Sequence, residues 1–157
     1  MLPKMQTILY STDFGEKSVQ AFRMAASMGQ QYGARIVLLH VMEQVSEGVQ
    51  HMISGMLPKN ELTKLHHEAR ESVLKSLNEQ WDALAAAELS DAGERHELRV
   101  EQGEPAHTIL KVADEIDADL LVIGTHSHSH VGEWLLGSVA YRLMHTTRRP
   151  VLLVPLV

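Results

Sequence analysis

Four consecutive apolar residues, Leu120-Leu121-Val122-Ile123, constrain this chain more than any other stretch. Successive side chains of a strand point to opposite faces, so a strand apolar at every position must be covered on both sides. The run over 34–42, ARIVLLHVM, is apolar enough to be central as well. Residues 6–12 (QTILYST) and 151–157 (VLLVPLV) read as further strands. In 96–102 (HELRVEQ), Leu98 and Val100 alternate with charged neighbours, the pattern of an exposed strand.

Helical patterns fill the intervals. Over 15–31, Val19, Phe22, Ala26 and Met28 share one face, and Gly33 suits the C-terminal cap. Asn60 is placed to cap a long helix on which Leu62, Leu65, Ala69, Val73, Leu77, Trp81 and Leu84 recur at helical spacing. Glu71 and Lys75 form an i, i+4 pair on its wet side, and residues 90–94, with Gly93, break it. Gly103 and Pro105 turn the chain into a helix carrying Ile109, Ala113 and Ile116 inward, and a last helical pattern covers 139–145. Residues 43–59 are the least regular: Gly48, Gly55 and Pro58 stand among Met52, Ile53, Met56 and Leu57. They read as a mobile excursion whose methionines pack over something.

Five strands alternating with helices predict an α/β fold, a doubly wound five-stranded parallel sheet with helices on both faces. The 157 residues suffice for one domain spanning 1–157. Such sheets bind ligands beyond the C-terminal ends of their strands. Asp13, Val41 and Gly124 all fall at expected strand ends and so are expected to share one crevice.

Charge and motifs remove several function classes. A formal net charge of −6 argues against nucleic acid as partner. No cysteine is present, so disulfide and thiolate chemistry are absent, which fits a reducing compartment. No apolar run approaches membrane-spanning length, and the cytoplasm is the expected location. The G-x-x-x-x-G-K-[ST] phosphate loop, the G-x-S-x-G elbow and the H-E-x-x-H pair are all missing. Aromatic content of 4% leaves little to stack on a flavin.

The chemistry concentrates in 119–139, DLLVIGTHSHSHVGEWLLGSV. A strand ends at Gly124-Thr125, a polar loop follows, and Gly137-Ser138 stands at a helix start. Unsatisfied N–H groups at a helix N-terminus, reinforced by its dipole, attract anions such as a nucleotide phosphate. Ser138 either caps that helix or gives its hydroxyl to a phosphate oxygen. His126, His128 and His130 alternate in the loop and could chelate metal, but no cysteine supports a structural site, and a solvated loop flanking phosphate is the preferred reading. Asp13 either caps the first helix or faces the ligand.

With these residues in view, the chain resembles the universal stress protein family over essentially its whole length. The most specific likeness is to the G-x2-G-x9-G-S/T pattern of the ATP-binding branch, present here from Gly124 to Ser127 and again at Gly137-Ser138. Asp13, the HVME at 40–43, Gly103-Glu104-Pro105 and the PVLLVP at 150–155 support it. The resemblance implies an adenine nucleotide α-hydrolase-like fold that binds ATP or another adenine nucleotide, with or without Mg, as a regulatory stress-response module. It implies that Asp13 and the Val41 backbone approach adenine or ribose. Ile123, Gly124, Ser138 and Val139 would then hold ribose and phosphates, with His126 and Ser127 beside them. Gly137 would allow close approach, Gly103 would shape the neighbouring rim, and residues 43–59 would cover the adenine end. A homodimer through the uncharged last strand and an unknown regulatory partner are also implied, with no catalysis beyond slow ATP hydrolysis.

Two positions depart from the pattern. Ser127 replaces the second glycine, at a steric cost for close phosphate approach. Glu133 stands where many members carry a basic residue, and a carboxylate beside a polyphosphate is unfavourable. Both leave open a dimeric interaction protein of the same fold that binds no nucleotide.

Overall fold

The computed structural model describes residues 1–12, 18–44, 46–88, 96–126 and 137–156. The apolar runs form β1 (Thr7–Ser11), β2 (Arg35–Met42), β3 (His96–Gln102), β4 (Leu120–His126) and β5 (Val151–Leu156). All pair in parallel in the order β3-β2-β1-β4-β5. The helices are α1 (Ser18–Tyr32), α2 (Glu47–Met56), α3 (Lys59–Glu88), α4 (Pro105–Glu115) and α5 (Ser138–Thr146). Among the described residues, no helix is long and apolar enough to cross a membrane.

Alternation along β4 explains its unbroken apolar run. Leu120 and Val122 join a core with Phe22 of α1 and Leu77 and Trp81 of α3. Leu121 and Ile123 join a second core with Ile109 and Val112 of α4 and Leu143 of α5. Helices thus cover both faces of a doubly wound sheet, as the strand pattern requires. Asp119 fixes the start of β4 against β1: its Oδ2 accepts from the N–H groups of Gln6 at 2.8 Å and Thr7 at 2.9 Å.

The ends of α1 and α4 obey the same rule. Gly33, at φ 63°, follows α1, with Ala34 N–H bonded to the Gly29 carbonyl at 2.9 Å, so the expected cap is present. Asp117, at φ 50°, plays that part after α4, with Ala118 N–H bonded to the Ala113 carbonyl at 2.9 Å. Arg149 secures this turn by donating to the Ala118 carbonyl and to Asp114 Oδ1, the latter at 3.1 Å.

Four expectations are corrected. Residues 43–59 are not irregular throughout: Glu47–Met56 is helical, and among the described residues its methionines are exposed, Met52 by 57% and Met56 by 76%. Asn60 is not the cap of α3. The Pro58 carbonyl accepts from Glu61 and Leu62 N–H, both at 3.1 Å, so Asn60 already lies in the first turn. The apolar stripe of α3 is buried only in its second half. Leu65 is 49% exposed and Ala69 is exposed, whereas Leu77 and Trp81 are buried. Length is the cause: 30 residues of helix run roughly 45 Å at the α-helical rise, and the neighbouring β3 only about 23 Å. The N-terminal half of α3 outruns the sheet. On the same helix Lys75 lies 3.9 Å from Glu79 one turn on, in place of the expected Glu71 pairing.

Candidate functional site at the strand ends

Strand order reverses between β1 and β4: the chain runs outward to β2 and β3 on one side and to β4 and β5 on the other. At this reversal a crevice opens at the C-terminal edge of the sheet. It has a volume of about 250 Å³. Its floor and walls come from Tyr10, Thr12, His40, Val41, Ile123 and Gly124 at the strand ends. Ser18 of α1, Pro105 and Ile109 of α4, and Val139 of α5 close the sides, with Glu43 at the rim.

Hydrogen bonds hold the polar part of this wall. His40 Nδ1 donates to the Thr12 carbonyl at 2.8 Å, which fixes the ring between β1 and β2. Thr12 N–H donates in turn to the Leu39 carbonyl at 3.0 Å. Tyr10 OH donates to the Ser18 carbonyl at 2.9 Å, tying the start of α1 to the floor.

The N-termini of α4 and α5 flank the crevice and differ in one respect. Glu104 caps α4: its carboxylate accepts from Ala106 N–H at 3.2 Å and His107 N–H at 2.7 Å. Arg142 of α5 donates to the same carboxylate at 2.9 Å. Gly137 is the N-cap of α5, its carbonyl accepting from Tyr141 N–H at 2.9 Å, and among the described residues no side chain caps that helix. The first N–H groups of α5, those of Ser138 and Val139 among them, thus have no side-chain cap among the described residues. Of the two roles open to Ser138, the cap is not the one taken: Ser138 is the first residue of the helix, and Gly137 occupies the cap position.

Its hydrogen bond from His107 N–H is the main reason the Glu104 carboxyl titrates below the usual carboxylate range; desolvation opposes this, and Ala106, Arg142 and the His107 ring add smaller lowering effects. A depressed folded-state pKa means that the stabilisation is complete above the unfolded value and is lost as pH falls through the folded one. Glu104→Ala is therefore expected to cost about 1 kcal/mol at neutral pH, as for other lost caps. Chemical denaturation should show that difference shrinking below pH of about 4, where the carboxyl protonates in both states. A difference unchanged down to pH of about 2 would contradict the cap as its origin.

The two motif glycines have different surroundings. A Cβ on Gly124 would lie 2.7 Å from Leu156 Cδ1, so β5 fills the space that this glycine leaves. A Cβ on Gly137 would meet no atom of the described residues within 4 Å, and its φ of −58° is open to any residue. Neither the backbone nor the described packing requires glycine at 137.

Of the residues singled out in the sequence, Val41, Ile123, Gly124 and Val139 line one crevice, with Gly137 and Ser138 immediately before Val139. Gly103 lies in an adjoining hollow with Glu104, His107 and Thr108, where its missing Cβ makes room for Thr108 Oγ1 at 2.5 Å. His126 ends β4, its backbone paired with Leu156. Asp13, Ser127, His128, His130 and Glu133 lie outside the described residues. Among the described residues no three histidine, aspartate or glutamate side chains gather as metal ligands would. Sequence reasoning did not single out Tyr10, Thr12, Ser18 or Glu43 as site residues. For His40 a signal existed, a polar residue inside the apolar run of β2.

A model of the universal stress protein family matches residues 4–155. The chain belongs to that family. It is 27% identical over 150 residues to universal stress protein MJ0577 of Methanocaldococcus jannaschii, covering 94% of this chain and 93% of that protein. The solved structure of MJ0577 superposes with a TM-score of 0.70 over 98% of this chain and 97% of that one, at 26% identity. A universal stress protein in complex with cAMP aligns at TM-score 0.66 and 22% identity, covering 99% and 100% of the two chains. One from Archaeoglobus fulgidus in complex with dAMP aligns at 0.54 and 18%, covering 96% and 97%. These last two likenesses establish the fold alone.

Proposed function

We propose that this universal stress protein family member binds an adenine nucleotide, ATP among the candidates, and acts through it as a regulatory module. The N-terminus of α5, which no described side chain caps and which borders a crevice at the point where strand order reverses, carries this reading. The apolar floor of Val41, Ile109 and Ile123 suits a heteroaromatic ring, and the open space at Gly137 suits phosphates close to the backbone. Family members solved with cAMP and dAMP support an adenine ligand. Asp13, His126 and Ser127 are proposed to complete the site, and a Mg ion would offset phosphate charge. The protein is further proposed to be a homodimer through β5, an edge strand with no charged side chain, which would otherwise stand as an open pairing template.

A second reading, a dimeric interaction protein without nucleotide, has one observation in its favour. Packing of Leu156 already accounts for glycine at 124, so half of the described motif needs no ligand to explain it. Native mass spectrometry of freshly purified protein separates the two. The expected result is a dimer carrying an adenine nucleotide in each protomer, released on denaturation. A dimer that stays ligand-free in millimolar ATP, ADP and AMP would establish the second reading instead. A monomer at micromolar concentration would remove the β5 interface.

A further inference from the structure

Next to the crevice lining stands an ion pair that the motif does not include. Pro105 and Val139 both line the crevice. Glu104 directly precedes Pro105, and Arg142 lies one helical turn after Val139, so their 2.9 Å contact joins the two helices that flank the ligand space. Glu104 cannot leave, because its oxygens also hold Ala106 and His107 N–H. Its negative charge is thereby held at the N-terminus of α4, next to Pro105 of the crevice lining. Lys111, one turn along α4 from His107, is engaged with Glu115 at 3.9 Å. Arg142 is the cation in contact with Glu104.

We infer that Arg142 determines which nucleotides the crevice accepts, by neutralising Glu104 so that a polyphosphate chain can bind beside it. The inference rests on the nucleotide reading and concerns the number of phosphate charges tolerated. With Arg142 in place the Glu104 charge is balanced, leaving Glu43 at the rim as the carboxylate among the described lining residues, and the donors of α5 attract a di- or triphosphate. Without it, each added phosphate charge meets an uncompensated carboxylate across a solvent-accessible gap. Repulsion then grows along the series from cyclic monophosphate through AMP to ATP. Arg142 acts through Glu104 and is a positioning residue, not a phosphate ligand.

Isothermal titration of full-length wild type, Arg142→Gln, Glu104→Gln and the double variant with cAMP, AMP and ATP tests this. Arg142→Gln is expected to weaken ATP binding roughly 3- to 10-fold and AMP binding less than about 2-fold, as one uncompensated charge near the surface implies. Glu104→Gln in the Arg142→Gln background should return ATP affinity to within about 2-fold of wild type, since the repelling charge is gone. Raising ionic strength should shrink the ATP defect of the single variant. A loss of ATP affinity that the double variant does not recover would overturn the inference, showing direct phosphate contact or a structural role. An equal loss for all three nucleotides would overturn it too. Wild type that binds none of them removes the parent reading, and this inference with it. Thermal melts of each variant establish that binding is compared between folded proteins.

Discussion

Gly137→Val is expected to abolish nucleotide binding, lowering affinity at least about 100-fold, or about 2.7 kcal/mol, while the fold is left intact. The valine side chain would enter space that no described protein atom occupies. At φ −58° and ψ 153° the backbone there is one that valine adopts without strain. The filled volume is where phosphates must lie to reach the first N–H groups of α5. Gly124→Val should behave in the opposite way. Its side chain would collide with Leu156, whose Cδ1 lies 2.7 Å from the Cβ position, and displacing a packed side chain costs about 1–3 kcal/mol. For a chain of this length that is a fall of roughly 2–12 °C in Tm. Titration calorimetry and thermal melts on the two variants therefore separate ligand space from packing. A Gly137→Val variant that binds ATP as the wild type does would place the phosphates elsewhere.

That difference between two glycines was not legible in the sequence. Both stand in one motif, and local pattern cannot reveal that Leu156, on the neighbouring strand, occupies the space beside Gly124. What was legible follows from periodicity. The doubly apolar runs of β2 and β4 identify central strands, and from them the parallel sheet, its two helical layers and the edge at which the crevice opens. Where periodicity misled, tertiary geometry was the reason. The stripe on α3 states which face is apolar, not how long a surface exists to cover it. For α2, Gly48 and Gly55 read as breakers, but a glycine inside a helix costs only about 1 kcal/mol, and local hydrogen bonding tolerates that.

The site was half legible for a related reason. That Val41, Ile123 and Gly124 line the crevice was legible because a motif or a strand end marks them. Thr12 and Ser18 were not, because their place depends on contacts between elements: His40 reaching across to β1, and Tyr10 reaching the start of α1. The cap of α4 was hidden in plain view. Gly103-Glu104-Pro105 was noted as a family feature, yet the function of its glutamate depends on Arg142, which only the packing of α4 against α5 brings within reach.

Trp81→Ala is expected to destabilise the protein by about 3–5 kcal/mol, the range for removing a large buried aromatic ring. Trp81 is 2% exposed and joins α3 to the rest of the molecule. Its ring meets Phe22 of α1 edge-on at 5.2 Å and stacks on His96 of β3 at 4.0 Å. It lies in the buried half of α3, where Leu77 is its fully buried neighbour one turn earlier and the N-terminal half adds little to anchor the helix. Against a typical total of about 5–15 kcal/mol, the loss is a large fraction of stability. Trp81→Phe should cost far less than the alanine change. The Trp81 indole Nε1 has no hydrogen-bond partner among the described residues. Phenylalanine keeps much of the packing and removes a buried donor, whose unsatisfied state itself costs about 1–3 kcal/mol. Urea denaturation followed by circular dichroism measures both changes. If Trp81→Phe proved as damaging as Trp81→Ala, the indole nitrogen would have to be making a hydrogen bond that holds α3 in place.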